Sequence, residues 1–103
     1  MPLFAVLRTR GPAWDASVDM EHQHNWRPHA DFITSLHAEG FVVLVGPLEG
    51  VPHALLIVHA ESAEQVEAQL AHDPWSGSGH LTTTLLAPWS LRLGSLGTAP
   101  QRR

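Results

Sequence analysis

The stretch FVVLVGPLEGVPHALLIVHA, residues 41–60, decides the fold. It holds two apolar runs, 41–45 and 54–60, parted by Gly46-Pro47 and the turn sequence Glu49-Gly50-Val51-Pro52. Apolar runs this short, rich in valine, leucine and isoleucine and bounded by glycine and proline, read as strands. Successive side chains of a strand point to opposite faces. Phe41, Val43 and Val45 therefore oppose Val42 and Leu44, and Leu55 and Ile57 oppose Ala54, Leu56 and Val58. Both faces are apolar, so both need cover.

Upstream, residues 3–8 read as another strand, with Leu3, Ala5 and Leu7 opposed to Phe4 and Val6. Residues 9–20 contain Gly11, Pro12, Asp15, Ser17 and Asp19 and read as a loop. A helix begins between Asn25 and Pro28, since proline is tolerated only in the first turn. Its stripe runs Trp26, Ala30, Ile33, His37, broadened by His29, Phe32 and Leu36, and Gly40 ends it. Downstream, Ser62 and Gln65 form a capping box for a helix that carries Ala63, Val66 and Leu70 on one face. Asp73-Pro74 stops that helix, because the residue before proline avoids helical angles. Residues 77–79, Gly-Ser-Gly, read as a flexible loop, and 81–93 as a long last strand, bent or at a sheet edge because of Pro88. Residues 1–94 form one domain, and the polar stretch 95–103 is expected to fray. Strand, helix, strand, strand, helix, strand is the ferredoxin-like α+β order, with an antiparallel four-stranded sheet.

Two helices cover one face of such a sheet. The other face is also apolar and exceeds the few hundred Å² of exposed apolar surface that a monomer tolerates. A second copy of the chain, sheet against sheet in a twofold homodimer, is the economical cover.

Composition narrows the function classes. There is no cysteine, which excludes disulfides, thiolate metal sites and cysteine nucleophiles, and no lysine, which excludes Schiff-base chemistry. A net charge of −4 with six Lys and Arg argues against a nucleic-acid face. No segment approaches the ~20 apolar residues of a membrane span, and residues 1–10 lack the features of a secretory signal. A cytoplasmic location, with no membrane partner, is the expectation.

The chemistry-bearing candidates start with Asp73-Pro74-Trp75. Placed after a helix, Asp73 faces the negative end of the helix dipole and needs a partner. His29 begins the other helix, and antiparallel helices bring the start of one to the end of the other. A carboxylate there orients the imidazole and fixes its tautomer, the arrangement of a general base that later acts as acid. The plain alternative is a polar helix residue and a turn former. His22, His24 and His29, with Asp19 and Glu21 nearby, could chelate a metal, against the simpler reading of a solvated loop. Trp75 and Trp14 lie in loops and could wall a pocket for an aromatic ligand, whereas Trp26, at helical spacing, reads as core. Arg27 could hold an anionic group on the ligand. His53 and His59 share strand parity with Leu55 and Ile57 and read as interface histidines.

Taken together, the motifs resemble the YCII-related (YciI-like) family. The resemblance rests on Trp26-Arg27-Pro28-His29-Ala30-Asp31-Phe32, on Glu39-Gly40 before a strand, and on Gly46-Pro47-Leu48 after one. Asp73-Pro74-Trp75 and Pro88-Trp89 with Leu91-Arg92-Leu93 complete it. It covers about residues 3–94. It implies a dimeric α/β barrel of two ferredoxin-like subunits and an active site at a His–Asp pair, here His29 and Asp73. Some members are linked to dehydrochlorination of aromatic compounds, and similar barrels include isomerases and cofactor-independent monooxygenases. The expected function is cofactor-independent lyase or isomerase chemistry on a small metabolite, aromatic compounds among the candidates. The alternative is a non-catalytic module that binds a small ligand in the same pocket.

Overall fold

The structure, a computed structural model, describes residues 2–94; the tail expected over 95–103 lies outside the described residues. Its elements are β1 (Leu3–Arg10), α1 (Trp26–Ala38), β2 (Val42–Pro47), β3 (His53–His59), α2 (Ala63–Leu70), α3 (Pro74–Ser78) and β4 (Leu81–Trp89), with a 3-10 turn at Met20–His22. The four strands form one antiparallel sheet in the order β2-β3-β1-β4. This is the ferredoxin-like α+β arrangement expected from residues 41–60 and their flanks.

Register explains the two apolar faces. On the helix side Phe4 pairs with Val58 and Val6 with Leu56. These four, with Val42, Phe41, Leu36, Ala60, Val66 and Leu70, make the buried core. On the other side Ala5 pairs with Ile57 and Leu7 with Leu55 across β1–β3, and Leu7 with Leu85 across β1–β4. Among the described residues no helix covers that side, and Leu44, Leu85 and Trp89 lie exposed on it. Pro88 is accommodated because β4 is an edge strand.

Several boundaries differ from expectation. β1 runs on to Arg10, because β4 and β3 still pair with its last residues. β4 ends at Trp89 rather than residue 93. Residues 74–78, expected to be largely loop, form the short helix α3, capped by Asp73 and ended by left-handed Gly79. The connection from β1 to α1 is tied down by Gln23, a buried residue whose amide accepts from the Asp15 N–H (2.9 Å) and donates to the Asp15 and Val18 carbonyls (2.7 and 3.2 Å).

Candidate active site

Asp73 owes its place to two helix ends. Its N–H closes the last turn of α2 on the Leu70 carbonyl (3.1 Å). Its own extended backbone (φ −64°, ψ 126°) then starts α3, with Pro74 at the first helical position. The Asp73 carboxylate accepts the Trp75 N–H at 2.9 Å. This corrects the electrostatic premise of the sequence reading. Asp73 is not a misplaced carboxylate at the end of α2; it is the N-cap of α3, where an acceptor is wanted.

The expected contact with His29 is present. Nδ1 of His29 lies 2.9 and 3.0 Å from the two carboxylate oxygens of Asp73. The Asp73 side chain is fully buried, and that of His29 is 13% exposed. A carboxylate only accepts, so Nδ1 donates and the lone pair of the neutral ring sits on Nε2. Trp75, 1% exposed, stacks on the imidazole at 3.9 Å and 12°. The indole is itself fixed by a hydrogen bond from Nε1 to the His24 carbonyl (2.7 Å) and by Trp14 edge-on at 5.3 Å. His80 stacks on Trp75 from further off, at 5.5 Å, and its Nδ1 meets the Ser78 hydroxyl at 2.6 Å. Burial, followed by the neighbouring His24 and His29, holds His80 below the usual histidine range.

One participant was not foreseen. Arg8, 2% exposed, sends Nη1 to within 3.7 Å of Asp73 and donates from Nη2 to Ser76 Oγ at 2.6 Å. Burial lowers its pKa from the ordinary arginine value, and the charge of Asp73 opposes that. Among the described residues its Nε has no hydrogen-bond partner. In the sequence Arg8 is the last residue of the first apolar run, and no role was assigned to it. The usable signal was parity: Arg8 continues the inward series Phe4, Val6.

His29 opens onto a cavity of about 340 Å³ between α1 and the helix side of the sheet. Trp26, His29, Ala30, Ile33 and Thr34 line it from α1, and Val45, Ala54 and Leu56 from the strands. The α1 stripe expected to pack into the core thus in part walls this cavity, and Trp26 is half-buried there. A smaller lobe of about 80 Å³, sharing His29, Met20 and Val45, continues past Trp75 and Trp14 to Arg10 and His53.

The remaining candidates fall elsewhere. Arg27 does not line either space. It is two residues from His29, about 200° around the helix, so its side chain is 75% exposed and pairs with Asp31 at 3.7 Å. His22 pairs with Asp19 on the surface, which raises the histidine pKa and lowers that of the carboxylate. Among the described residues no group of three or more His, Asp or Glu side chains converges as a metal site, so His22, His24 and His29 are not gathered into one. His53 hydrogen-bonds Thr9 Oγ1 at 2.9 Å.

With this geometry in view, the likeness to a solved enzyme is informative. The chain is similar to 5-chloro-2-hydroxyhydroquinone dehydrochlorinase (TftG) from Burkholderia phenoliruptrix AC1100, whose structure is a complex with 2,5-dihydroxybenzoquinone. The TM-score is 0.62 at 22% identity, over 89% of this chain and 95% of that one. No protein-family model matches the chain, and no curated protein does. At that identity the likeness establishes the fold: a small α+β chain built as TftG is.

Proposed function

We propose that this chain is a YCII-related enzyme that performs cofactor-independent acid–base chemistry, of lyase or isomerase type, on a small ligand. The observation that carries the reading is the His29–Asp73 pair, with Nδ1 held at 2.9 and 3.0 Å and the ring on the wall of an apolar cavity. Nε2 takes a proton from the bound ligand. The electron pair so released either expels a leaving group, as in a dehydrochlorination, or shifts within the ligand, and the imidazolium returns the proton to another atom. Asp73 stabilises the imidazolium and keeps the ring oriented. Arg8 and the Trp75 N–H hold Asp73 in place. Trp75 supports one face of the imidazole, and Trp14 and Trp26 wall the space beside it. Arg27 has no role in this proposal.

The second part of the proposal is assembly. The apolar open face of the sheet is the surface by which two copies join into a dimeric α/β barrel.

The test is turnover against a panel of halogenated and hydroxylated single-ring compounds and small lactones. His29→Ala lowers turnover by about 10²–10⁴-fold, and Asp73→Asn also lowers it while leaving a folded protein. Undiminished turnover in both variants overturns the assignment. Tight binding across the panel with no turnover moves the site to a ligand-binding module.

A further inference from the structure

Strand β1 ends in two arginines of opposite circumstance. Arg8 is buried and committed to Asp73 and Ser76. Arg10 is exposed and lies on the smaller lobe of the cavity, on the same wall system as His29, His53, Trp14 and Trp75. Its guanidinium carbon stands 4.6 Å from the ring centroid of Trp14. Its backbone is held as well, by a hydrogen bond from its N–H to the Pro52 carbonyl at 3.0 Å. Among the described residues no carboxylate lies within ion-pair distance of it, whereas Arg8 and Arg27 each have one. Glu49 shares an outer groove with Arg10 without forming an ion pair with it. The lobe itself is lined by no aspartate or glutamate.

A guanidinium held over an indole ring by a cation–π contact leaves its N–H donors free for a further partner. It is also cheaper to hold in one orientation than a free side chain. An unpaired cation on the wall of an apolar, acid-free lobe suits a negatively charged oxygen on a flat body, which receives two parallel hydrogen bonds from the fork. The flat body then lies along Trp14, in the lobe that His29 also lines.

We propose that Arg10, presented by Trp14, is the anion-recognition residue of the cavity. The ligand is then a single planar ring bearing an anionic oxygen, whose charged end sits in the small lobe and whose reacting end faces His29. This deepens the acid–base reading and rests on its choice of cavity. It is tested by binding alone, so that its failure and a failure of the catalytic assignment stand apart.

Calorimetric titration with benzoate and with its neutral planar counterpart benzamide makes the measurement. Wild-type protein binds benzoate about tenfold or more tightly than benzamide, the worth of one charge-assisted contact. Arg10→Gln removes that preference while leaving the thermal midpoint as it was, since the side chain is exposed. Arg10→Lys keeps part of it, as a point charge without the fork. Equal binding of the two probes by wild type overturns the proposal. So does a preference that survives in Arg10→Gln, or one that is lost in His29→Gln while Arg10 is intact, which would put the anion on the imidazole. Absence of benzoate binding up to about 10 mM, beyond the range expected for a ring with one such contact, overturns it too.

Discussion

Asp73 meets three claims at once: a helix to cap, an imidazole to orient and a guanidinium to balance, all at full burial. Removing one partner of such a buried set leaves the other charge uncompensated, at a cost of about 3–5 kcal/mol. Arg8→Met is therefore expected to lower the unfolding free energy by that order in a urea titration, even though methionine fills similar space. A change near zero would show that Asp73 is satisfied by His29 and the Trp75 N–H alone. His80 sets a pH dependence at the same scale. Its pKa in the folded chain is lowered by burial and by His24 and His29, so the unfolded chain binds the proton more readily. Stability from this residue is complete above the ordinary value of 6.5 and is lost as pH falls below it, through the depressed folded value. His22 titrates in the opposite sense but is exposed, where an ion pair is worth little. The urea midpoint is expected to fall between about pH 7.5 and about pH 5.5, with a shallower fall in His80→Gln. An identical slope in the variant would assign the loss to other groups.

At the scale of elements, α3 and the turn that follows it organise the site. Gly79 ends α3 with φ +83°, and the returning chain lies so close to the β1–α1 connection that a Cβ on Gly11 would sit 2.3 Å from the Gly79 carbonyl oxygen. Gly11 and Ala13 bond across this contact, to the His80 and Gly79 carbonyls (2.8 and 3.1 Å), which brings Trp14 against Trp75. Gly11→Ala has only backbone to push against and is expected to cost about 1–3 kcal/mol, read as a lower thermal midpoint together with loosened indole packing in near-UV circular dichroism. An unchanged midpoint would mean that the two segments part freely. Much of this framework was legible in the sequence. Glycine and proline punctuation and the period-two runs placed the four strands, and Ser62 with Gln65 placed α2, where Ser62 does accept from the Gln65 N–H. The His29–Asp73 contact was expected from two helices packed side by side; in the structure the short α3, begun by Asp73, is the helix that lies against α1. α3 was not legible, because five residues with two serines and a glycine carry no periodicity; its signal was the Asp-Pro pair itself, a cap followed by a first helical residue. Arg8 was missed and Arg27 favoured because charge was read without parity: period two turns the first inward, and 100° per residue turns the second out.

At the scale of the whole molecule, the sheet divides two tasks. The helix side carries the core and the cavity; the open side carries Leu7, Leu44, Leu55, Leu85 and Trp89, with no helix over them among the described residues. If this side joins two copies, sedimentation of the wild type gives twice the 11.3 kDa chain mass. Leu85→Glu, which places a charge on that side at the edge strand β4 without touching the core, shifts the mass to that of one chain. A wild type that sediments as a single chain at micromolar concentration would remove the dimer from the proposal. The cavity's strand-side lining, Arg8, Ala54 and Leu56, belongs to the opposite surface of the same strands. Traffic and assembly are thus separated by the thickness of one sheet. If two copies join through the open side, they need not part for a ligand to come and go, and residence time in the cavity would then be set within each chain, independent of how long the pair stays together.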